Sequence, residues 1–181
     1  MTTTSENEMS FRNFPSFDET DAPESARPAL SATRQRFGSL PEPLARYARS
    51  PPLLLTVLSG LDTFDKTTLA PLEREVLAMT LGRRNGCQFC VKLHTRLLSG
   101  LGADPALVTA LQTGQPLADR RLEALRCFVL ALVDYSGDVP RPEWLRLREA
   151  GYTHEQALEL VLGVGLYTMT TLANRLTETS E

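Results

Sequence analysis

Several features are scarce or missing in this chain of 181 residues, and each absence excludes a class of protein. It contains no isoleucine, and leucine and alanine outnumber valine. Because β-branched residues favour strands, this composition argues against a protein built on β-sheets. No apolar run approaches the roughly 20 residues that a membrane helix needs. We therefore expect a helical protein that makes no contact with a membrane.

Charge and targeting signals are also scarce. The net charge is −3, which gives no electrostatic reason to expect nucleic acid as a partner. The N-terminus has neither the basic patch nor the apolar segment of a signal peptide, so we expect a cytoplasmic protein. In that reducing compartment, a close pair of cysteines is more typical of catalysis or metal binding than of a structural disulfide.

What the sequence does contain is helical patterning. Proline recurs at the start of apolar-periodic segments and glycine follows their ends, which is typical of helix boundaries. The sequence predicts an all-α fold with about eight or nine helices over residues 28–181. The expected ranges are about 29–37, 42–49, 53–64, 69–84, 87–99, 105–112, 117–134, 143–150 and 154–176. Thr68 is the expected N-cap of the fourth helix, and the apolar last helix is expected to be buried in the domain or in a subunit interface.

Residues 1–27 form a separate segment, which is polar and acidic and has little apolar periodicity. Such a composition is typical of a flexible tail. The alternative is an arm whose phenylalanines, at positions 11, 14 and 17, pack on this subunit or on a neighbouring one.

The stretch Asn85-Gly-Cys-Gln-Phe-Cys-Val-Lys-Leu-His94 has the strongest chemical signal. On a helix, Cys87, Cys90 and His94 fall within about 60° of one another and so share one face. Asn85 is a plausible N-cap, which would place Cys87 in the first turn, where the helix dipole favours a thiolate. Glu75 lies on the preceding predicted helix, on the same stripe as apolar residues, and is a candidate proton acceptor.

These residues are suited to dithiol redox chemistry. One sulfur attacks an oxidised substrate, the other resolves the adduct, and the product is an intramolecular disulfide that must be reduced again. His94 lies one turn beyond Cys90 and is placed to move the thiol proton.

Other interpretations of the same residues remain open. Cys87, Cys90, His94 and Glu75 could instead supply four ligands to zinc, in a protein that only binds metal or senses redox state. A helical assembly module with a vestigial site is a further alternative. Haem attachment is disfavoured because that motif places histidine directly after the second cysteine.

Three residues elsewhere are expected to have no part in this chemistry. Cys127, on the apolar side of a helix, is interpreted as a small buried hydrophobic residue. His154 is expected to be exposed, and Trp144, the single tryptophan, to be a packing anchor.

The pattern of Glu75, Cys87, Cys90 and His94, with Pro71 to Glu75 before it, resembles the alkylhydroperoxidase AhpD-like group of the carboxymuconolactone decarboxylase superfamily. The resemblance extends over about residues 30–176. It implies an all-helical fold and a thiol-dependent peroxidase, with Glu75 and His94 as a proton relay and Cys87 and Cys90 as the redox pair. It requires no cofactor.

The resemblance also implies partners. These are a hydroperoxide substrate, a thiol or lipoyl-type protein as electron donor, and further copies of the chain in a trimer or hexamer. It assigns the attack on peroxide to Cys90, whereas the helix-terminus argument favours a thiolate at Cys87. The chain departs from the founding AhpD proteins at Phe89, where those proteins have a second histidine.

Overall fold

The computed structural model of the protein describes residues 14–177 and contains, in that range, helices and no strand. The described residues form nine α-helices and one 3-10 turn, Glu24–Ala26, so the predicted all-α class and helix number are confirmed. The helices are α1 (Arg27–Phe37), α2 (Glu42–Tyr47), α3 (Pro51–Asp65), α4 (Pro71–Arg84), α5 (Gln88–Gly100), α6 (Pro105–Thr113), α7 (Arg120–Asp134), α8 (Arg141–Glu149) and α9 (His154–Thr177).

Most helices begin where the prolines and capping residues in the sequence predict. Proline lies in the first turn of α4, α6 and α8, where its missing N–H needs no partner. Asp104 and Asp119 cap α6 and α7 through their carboxylates. The cap expected at Thr68 is wrong, because α4 begins at Pro71 and its N-cap is Ala70.

Thr68 has a different role, since it binds the last helix. Its backbone N–H and its hydroxyl donate to the two carboxylate oxygens of Glu159 at 2.8 and 2.7 Å. Glu159 thereby connects α9 to the loop before α4.

The chain divides into two compact units, of which the first comprises residues 1–61 and 173–181. In its described part, the hydroxyl of Tyr47 donates to the side-chain oxygen of Asn174, and Arg46 Nη1 donates to the carbonyl of Thr177 at 2.6 Å. The N–H of Phe17 donates to the carbonyl of Ala45 at 3.2 Å.

The tail predicted over residues 1–27 is described only from residue 14. Ala22 is fully buried there, and Glu19 forms an exposed ion pair with Arg34. Phe11 lies outside the described residues, and the domain boundary after residue 27 stays a prediction.

The second unit, residues 62–172, is organised around α4. Val76, Leu77 and Met79 on this helix are fully buried, and α4 packs against α5, α6 and α7. Burial of each such side chain contributes about 1.5–3 kcal/mol to stability. The helix that carries Glu75 is therefore fixed by the core of this unit.

The last helix, α9, also packs on this core. Gly163 comes so close to α3 and α4 that a Cβ atom there would lie 2.7 Å from Leu77 Cδ1 and from ring carbons of Phe64. Gly165, two residues later, has open space around it, so of these two glycines only Gly163 is required for the close approach.

The opposite side of α9 is apolar and exposed, so the predicted burial holds for one side of the helix only. Leu158 is 72% exposed and Leu172 is 59% exposed. By length and hydropathy α9 meets the criteria for a membrane span, with 28% of its most apolar window buried. A core helix of a soluble protein can meet the same criteria, so this is weak support for a membrane segment.

Candidate active site

The turn between α4 and α5 positions the two cysteines. Asn85 ends α4, with its N–H bonded to the carbonyl of Leu81 at 2.9 Å, and Gly86 follows with a φ of 68°. A positive φ of this kind favours glycine, because it lacks a Cβ atom. Cys87 is then the N-cap of α5, and its sulfur accepts the N–H of Cys90 at 3.2 Å.

The N-cap predicted at Asn85 is therefore wrong. The chain needs the extra residue Gly86 to reverse direction after α4, so the cap position moves to Cys87. Asn85 instead donates its side-chain amide to the hydroxyl of Thr171 at 2.7 Å, which joins the turn to α9.

Cys87 and Cys90 are joined in a disulfide, with their sulfurs 2.19 Å apart. Cys87 is completely buried, whereas 4% of Cys90 is exposed. Gly82 on α4 permits this placement, because a Cβ atom there would lie only 3.0 Å from the Cβ of Cys90. The start of α5 is thus packed directly onto the backbone of α4.

His94 and Glu75 form the second pair of the site. His94 lies on α5 one turn after Cys90, is 5% exposed, and places Nδ1 2.8 Å from Glu75 Oε2. Glu75 comes from α4, with its side chain 16% exposed. The structure therefore brings together Glu75 with His94 and Cys87 with Cys90, while the chemical role of each residue stays a prediction.

The bond between His94 and Glu75 determines which ring nitrogen of His94 is available to accept a proton. A carboxylate accepts but does not donate, so His94 Nδ1 donates to Glu75, and in the neutral form of the imidazole Nε2 then carries the lone pair. Since residues four apart on a helix are neighbours, His94 can serve Cys90 as a proton acceptor.

Tyr167 belongs to this cluster and was not identified from the sequence. Its ring meets the His94 ring edge-on at 5.4 Å between centroids, and it meets Phe64 in the same way at 5.8 Å. Burial, followed by the nearby charge of Glu75, raises the pKa of the Tyr167 hydroxyl, which therefore stays protonated. The available signal was that Tyr167 is the one aromatic residue in a long aliphatic helix.

An open cleft of about 350 Å³ adjoins the cluster and shares Glu75 with it. The residues that line it come from the end of α3, the first half of α4, and the second half of α5 together with its C-cap residue. They are Asp65, Pro71, Arg74, Glu75, Arg96, Leu97, Gly100 and Leu101. Neither sulfur is part of this lining, so a molecule in the cleft meets the Glu75 end of the cluster.

The third cysteine lies in other surroundings. Cys127 is half-buried on α7, and its Sγ donates to Glu123 Oε1 at 3.3 Å. Burial, and then the hydrogen bond to Glu123, raises the pKa of the Cys127 thiol and lowers its reactivity. This agrees with its exclusion from the site, although the residue is more polar in its contacts than predicted.

His154 and Trp144, which were expected to take no part in the chemistry, belong to neither of the two residue pairs of the site. His154 is exposed at the start of α9. Trp144 packs edge-on against Phe128 with ring centroids 4.9 Å apart while remaining 41% exposed.

Whether the site could bind zinc depends on how its donor atoms are arranged. Over residues 14–177, no group of three or more His, Cys, Asp or Glu side chains is arranged to hold a metal ion. Both sulfurs that zinc would need are joined to each other, and Glu75 is bonded to His94. The four groups in this arrangement are paired with one another, which does not fit a tetrahedral site.

Residues 52–115 match the carboxymuconolactone decarboxylase family. This segment contains Glu75, both paired cysteines and His94, and it runs through α4 and α5. The resemblance predicted from the motif is thereby confirmed. No curated protein sequence matches the chain significantly.

Solved structures show the same fold over nearly the whole chain. An uncharacterised peroxidase-related protein from Ralstonia eutropha JMP134, described as an alkylhydroperoxidase AhpD core, has a TM-score of 0.76 at 21% identity, covering 90% of this chain and 86% of that one. A peroxidase-related protein from Silicibacter sp. TM1040 has a TM-score of 0.75 at 21% identity, covering 92% and 90%.

A third similar structure is the debrominase Bmp8 in complex with 2,3,4-tribromopyrrole. Its TM-score is 0.74 at 16% identity, with 92% of this chain and 90% of that chain covered. The fold is therefore AhpD-like, and proteins with this fold differ in chemistry.

Proposed function

We propose that this protein is a thiol-dependent hydroperoxidase, or more generally a thiol–disulfide oxidoreductase, that works through Cys87 and Cys90. The observation that carries the proposal is the disulfide at the start of α5, next to a histidine that is bonded to a carboxylate. A dithiol that forms a disulfide inside one helical turn needs only a proton acceptor to begin its cycle.

The reaction proceeds in two balanced steps. The thiolate of Cys90 attacks the terminal oxygen of a hydroperoxide, the O–O bond breaks, and the alcohol leaves with a proton from the His94–Glu75 pair. The resulting sulfenic acid on Cys90 then reacts with the thiol of Cys87 to form the disulfide and water. Overall, two thiols are oxidised and one hydroperoxide is reduced to alcohol and water.

The environments of the two sulfurs support this assignment of roles. Cys90 retains 4% exposure and lies one turn from His94, which supports assigning the attack to Cys90. Cys87 is fully buried and accepts the N–H of Cys90 at the helix N-terminus. That position favours a thiolate, so Cys87 is a good leaving group when a donor thiol attacks the disulfide at Cys90.

The disulfide must be reduced before the next cycle, and this requires a partner. A dithiol donor, such as a lipoyl-bearing protein, would attack Cys90, release Cys87 and leave as its own disulfide. We place this cycle in the cytoplasm, where such donors are kept reduced. We also propose that the protein is a homo-oligomer, a trimer or hexamer, for which the exposed apolar side of α9 is the main support.

Counting thiols directly tests the proposal. Fully reduced protein treated with one equivalent of tert-butyl hydroperoxide should lose two thiols and produce one equivalent of tert-butanol. Cys87→Ser and Cys90→Ser should abolish turnover, while Cys127→Ala, which removes a thiol of raised pKa, should leave it unchanged. Retention of all thiols, or zinc bound at one equivalent in the purified protein, would favour the metal-binding alternative.

A further inference from the structure

The cleft beside Glu75 is built from two walls of different character. The α4 wall carries Pro71, Arg74 and Glu75, and the α5 wall carries Arg96, Gly100 and two leucines. Its volume of about 350 Å³ lies at the small end of the range for ligand sites, about 300–1,000 Å³. The cleft therefore has the size of a small-molecule site.

Most charges of the cleft are already compensated. Arg74 lies with its Nε 3.8 Å from Asp65 Oδ1 and donates Nη1 to the carbonyl of Leu69 at 2.6 Å. Glu75 is bonded to His94. Arg96 is exposed and forms no ion pair or hydrogen bond with any residue in the described part of the chain. The one uncompensated charge in the lining is thus a cation on the α5 wall.

Next to this cation the wall is apolar and open. Leu97 is 44% exposed and Leu101 is 48% exposed, and they follow each other by one helical turn. Two exposed leucines that share a concave surface with a free guanidinium form a surface for a molecule with an apolar body and an anionic end. The charge lies on α5, whereas Glu75 lies on α4 and is already bonded to His94.

We propose that this cleft binds a small amphipathic carboxylate, with its hydrocarbon part against Leu97 and Leu101 and its carboxylate on Arg96. The opposite end of the molecule then points to Glu75. This inference deepens the proposed function and rests on it for one consequence: hydroperoxides that carry a carboxylate are better substrates than neutral ones of the same size. Hydrogen peroxide, which has no apolar part, gains nothing from the cleft.

Binding is tested without any turnover. Oxidised protein labelled with ¹⁵N is titrated with 4-methylpentanoate and, separately, with 4-methylpentan-1-ol while NMR shifts are followed. The acid should bind about fivefold more tightly than the alcohol, a ratio expected for one exposed charge pair. Its shifts should be concentrated on the two walls of the cleft, at residues 96–101 and at residues 74–75. Equal affinity, or shifts spread over other surfaces, would overturn the proposal.

Matched variants assign the effect to one side chain. Arg96→Gln should remove the preference for the acid, and Arg96→Lys should keep part of it because the charge remains. Lys92→Gln is the control, since Lys92 is an exposed cation one turn earlier on α5 that does not line the cleft. Loss of the preference in Lys92→Gln, with Arg96→Gln unaffected, would refute the role of Arg96.

Measurements of turnover provide the second test of the proposal. With reduced protein, 4-hydroperoxy-4-methylpentanoate should have a KM about fivefold below that of the neutral 4-hydroperoxy-4-methylpentan-1-ol, which has the same size, with a similar kcat. Arg96→Gln should raise the KM of the acid only. Equal KM values in the wild type would refute the substrate preference and leave the peroxidase proposal intact. If neither peroxide is reduced, the proposed function fails, and the NMR titration still decides the site.

Discussion

At the scale of single residues, the pairing of His94 with Glu75 matters most, because it determines where a proton can go. A buried histidine with Nδ1 bonded to a carboxylate is held in one tautomer and one ring orientation. The Tyr167 ring restricts the imidazole further from the side. The ring of His94 is therefore in place before any substrate arrives, which reduces the cost of ordering it in the reaction.

Glu75→Gln is the variant that tests this pairing. Glutamine keeps the shape and still accepts the Nδ1 proton, but it cannot carry the charge that stabilises a protonated His94. We expect the rate of thiol loss after peroxide addition to fall by roughly 10²-fold or more, the range of general acid–base catalysis. Stopped-flow measurement of disulfide formation over pH 5–9 provides the rate and its pH dependence.

The control for that experiment is Glu155→Gln, which removes an exposed carboxylate at the start of α9. It should react like the wild type. A wild-type rate in Glu75→Gln would show that Glu75 is a bystander. His94→Asn should be slowed at least as much as Glu75→Gln, because it removes the group that accepts the proton.

A residue of the site could be predicted from the sequence when the residues that identify it lie close to it along the chain. Cys87, Cys90 and His94 are related by helical spacing, which the sequence alone provides. The motif predicts that Glu75 and His94 act together, and Glu75 Oε2 lies 2.8 Å from His94 Nδ1. Tyr167 was missed because it lies 73 positions after His94, and nothing in one sequence places α9 against α5.

At the scale of helices, glycines show how closely two elements can approach. Gly82 brings the start of α5 onto α4, and Gly163 brings α9 onto Phe64 and Leu77. Helix boundaries were predictable because proline and glycine act locally on φ and on hydrogen bonding. The cap at Asn85 was not, because the number of residues in the turn depends on how α4 and α5 pack.

Two glycines in one helix allow a stability test with an internal control. Alanine at Gly163 would place a Cβ atom 2.7 Å from Leu77 and Phe64, so Gly163→Ala should destabilise the protein by about 1–3 kcal/mol through overpacking. Gly165 has no atom within 4 Å of the Cβ position, so Gly165→Ala should stabilise it by up to about 1 kcal/mol through helix propensity.

Urea denaturation followed by circular dichroism measures both variants. It should be carried out at two protein concentrations, so that any association through α9 is separated from folding. Changes of the same sign in the two variants would mean that the contacts of Gly163 do not control the packing of α9.

At the scale of the whole molecule, the apolar side of α9 needs an explanation. Single exposed leucines are normal on protein surfaces, but a continuous stripe marks a surface that contacts another molecule. Within residues 62–172 the stripe follows alternating spacings of four and three residues, as Leu158, Leu162, Gly165, Met169 and Leu172. This is the spacing by which one helix packs along another.

A second copy of the chain is the occupant that we predict for this stripe. A membrane is a poorer explanation, because the other side of α9 packs on Phe64 and Leu77 and bonds through Thr171 and Glu159. We expect sedimentation velocity to show an oligomer at micromolar concentration, and the double variant Leu158→Glu, Leu162→Glu to shift it to the monomer.

The control variant is Leu55→Glu, Leu145→Glu, which places the same charges at exposed leucines on α3 and α8. It should sediment like the wild type. If instead the α9 variant keeps its oligomeric state while the control variant dissociates, the subunits associate through another surface, and the exposed side of α9 has a different partner. If both variants dissociate, added negative charge alone separates the subunits, and the stripe is not the specific contact. Only selective loss of association in the α9 variant assigns this side of the helix to the interface between copies.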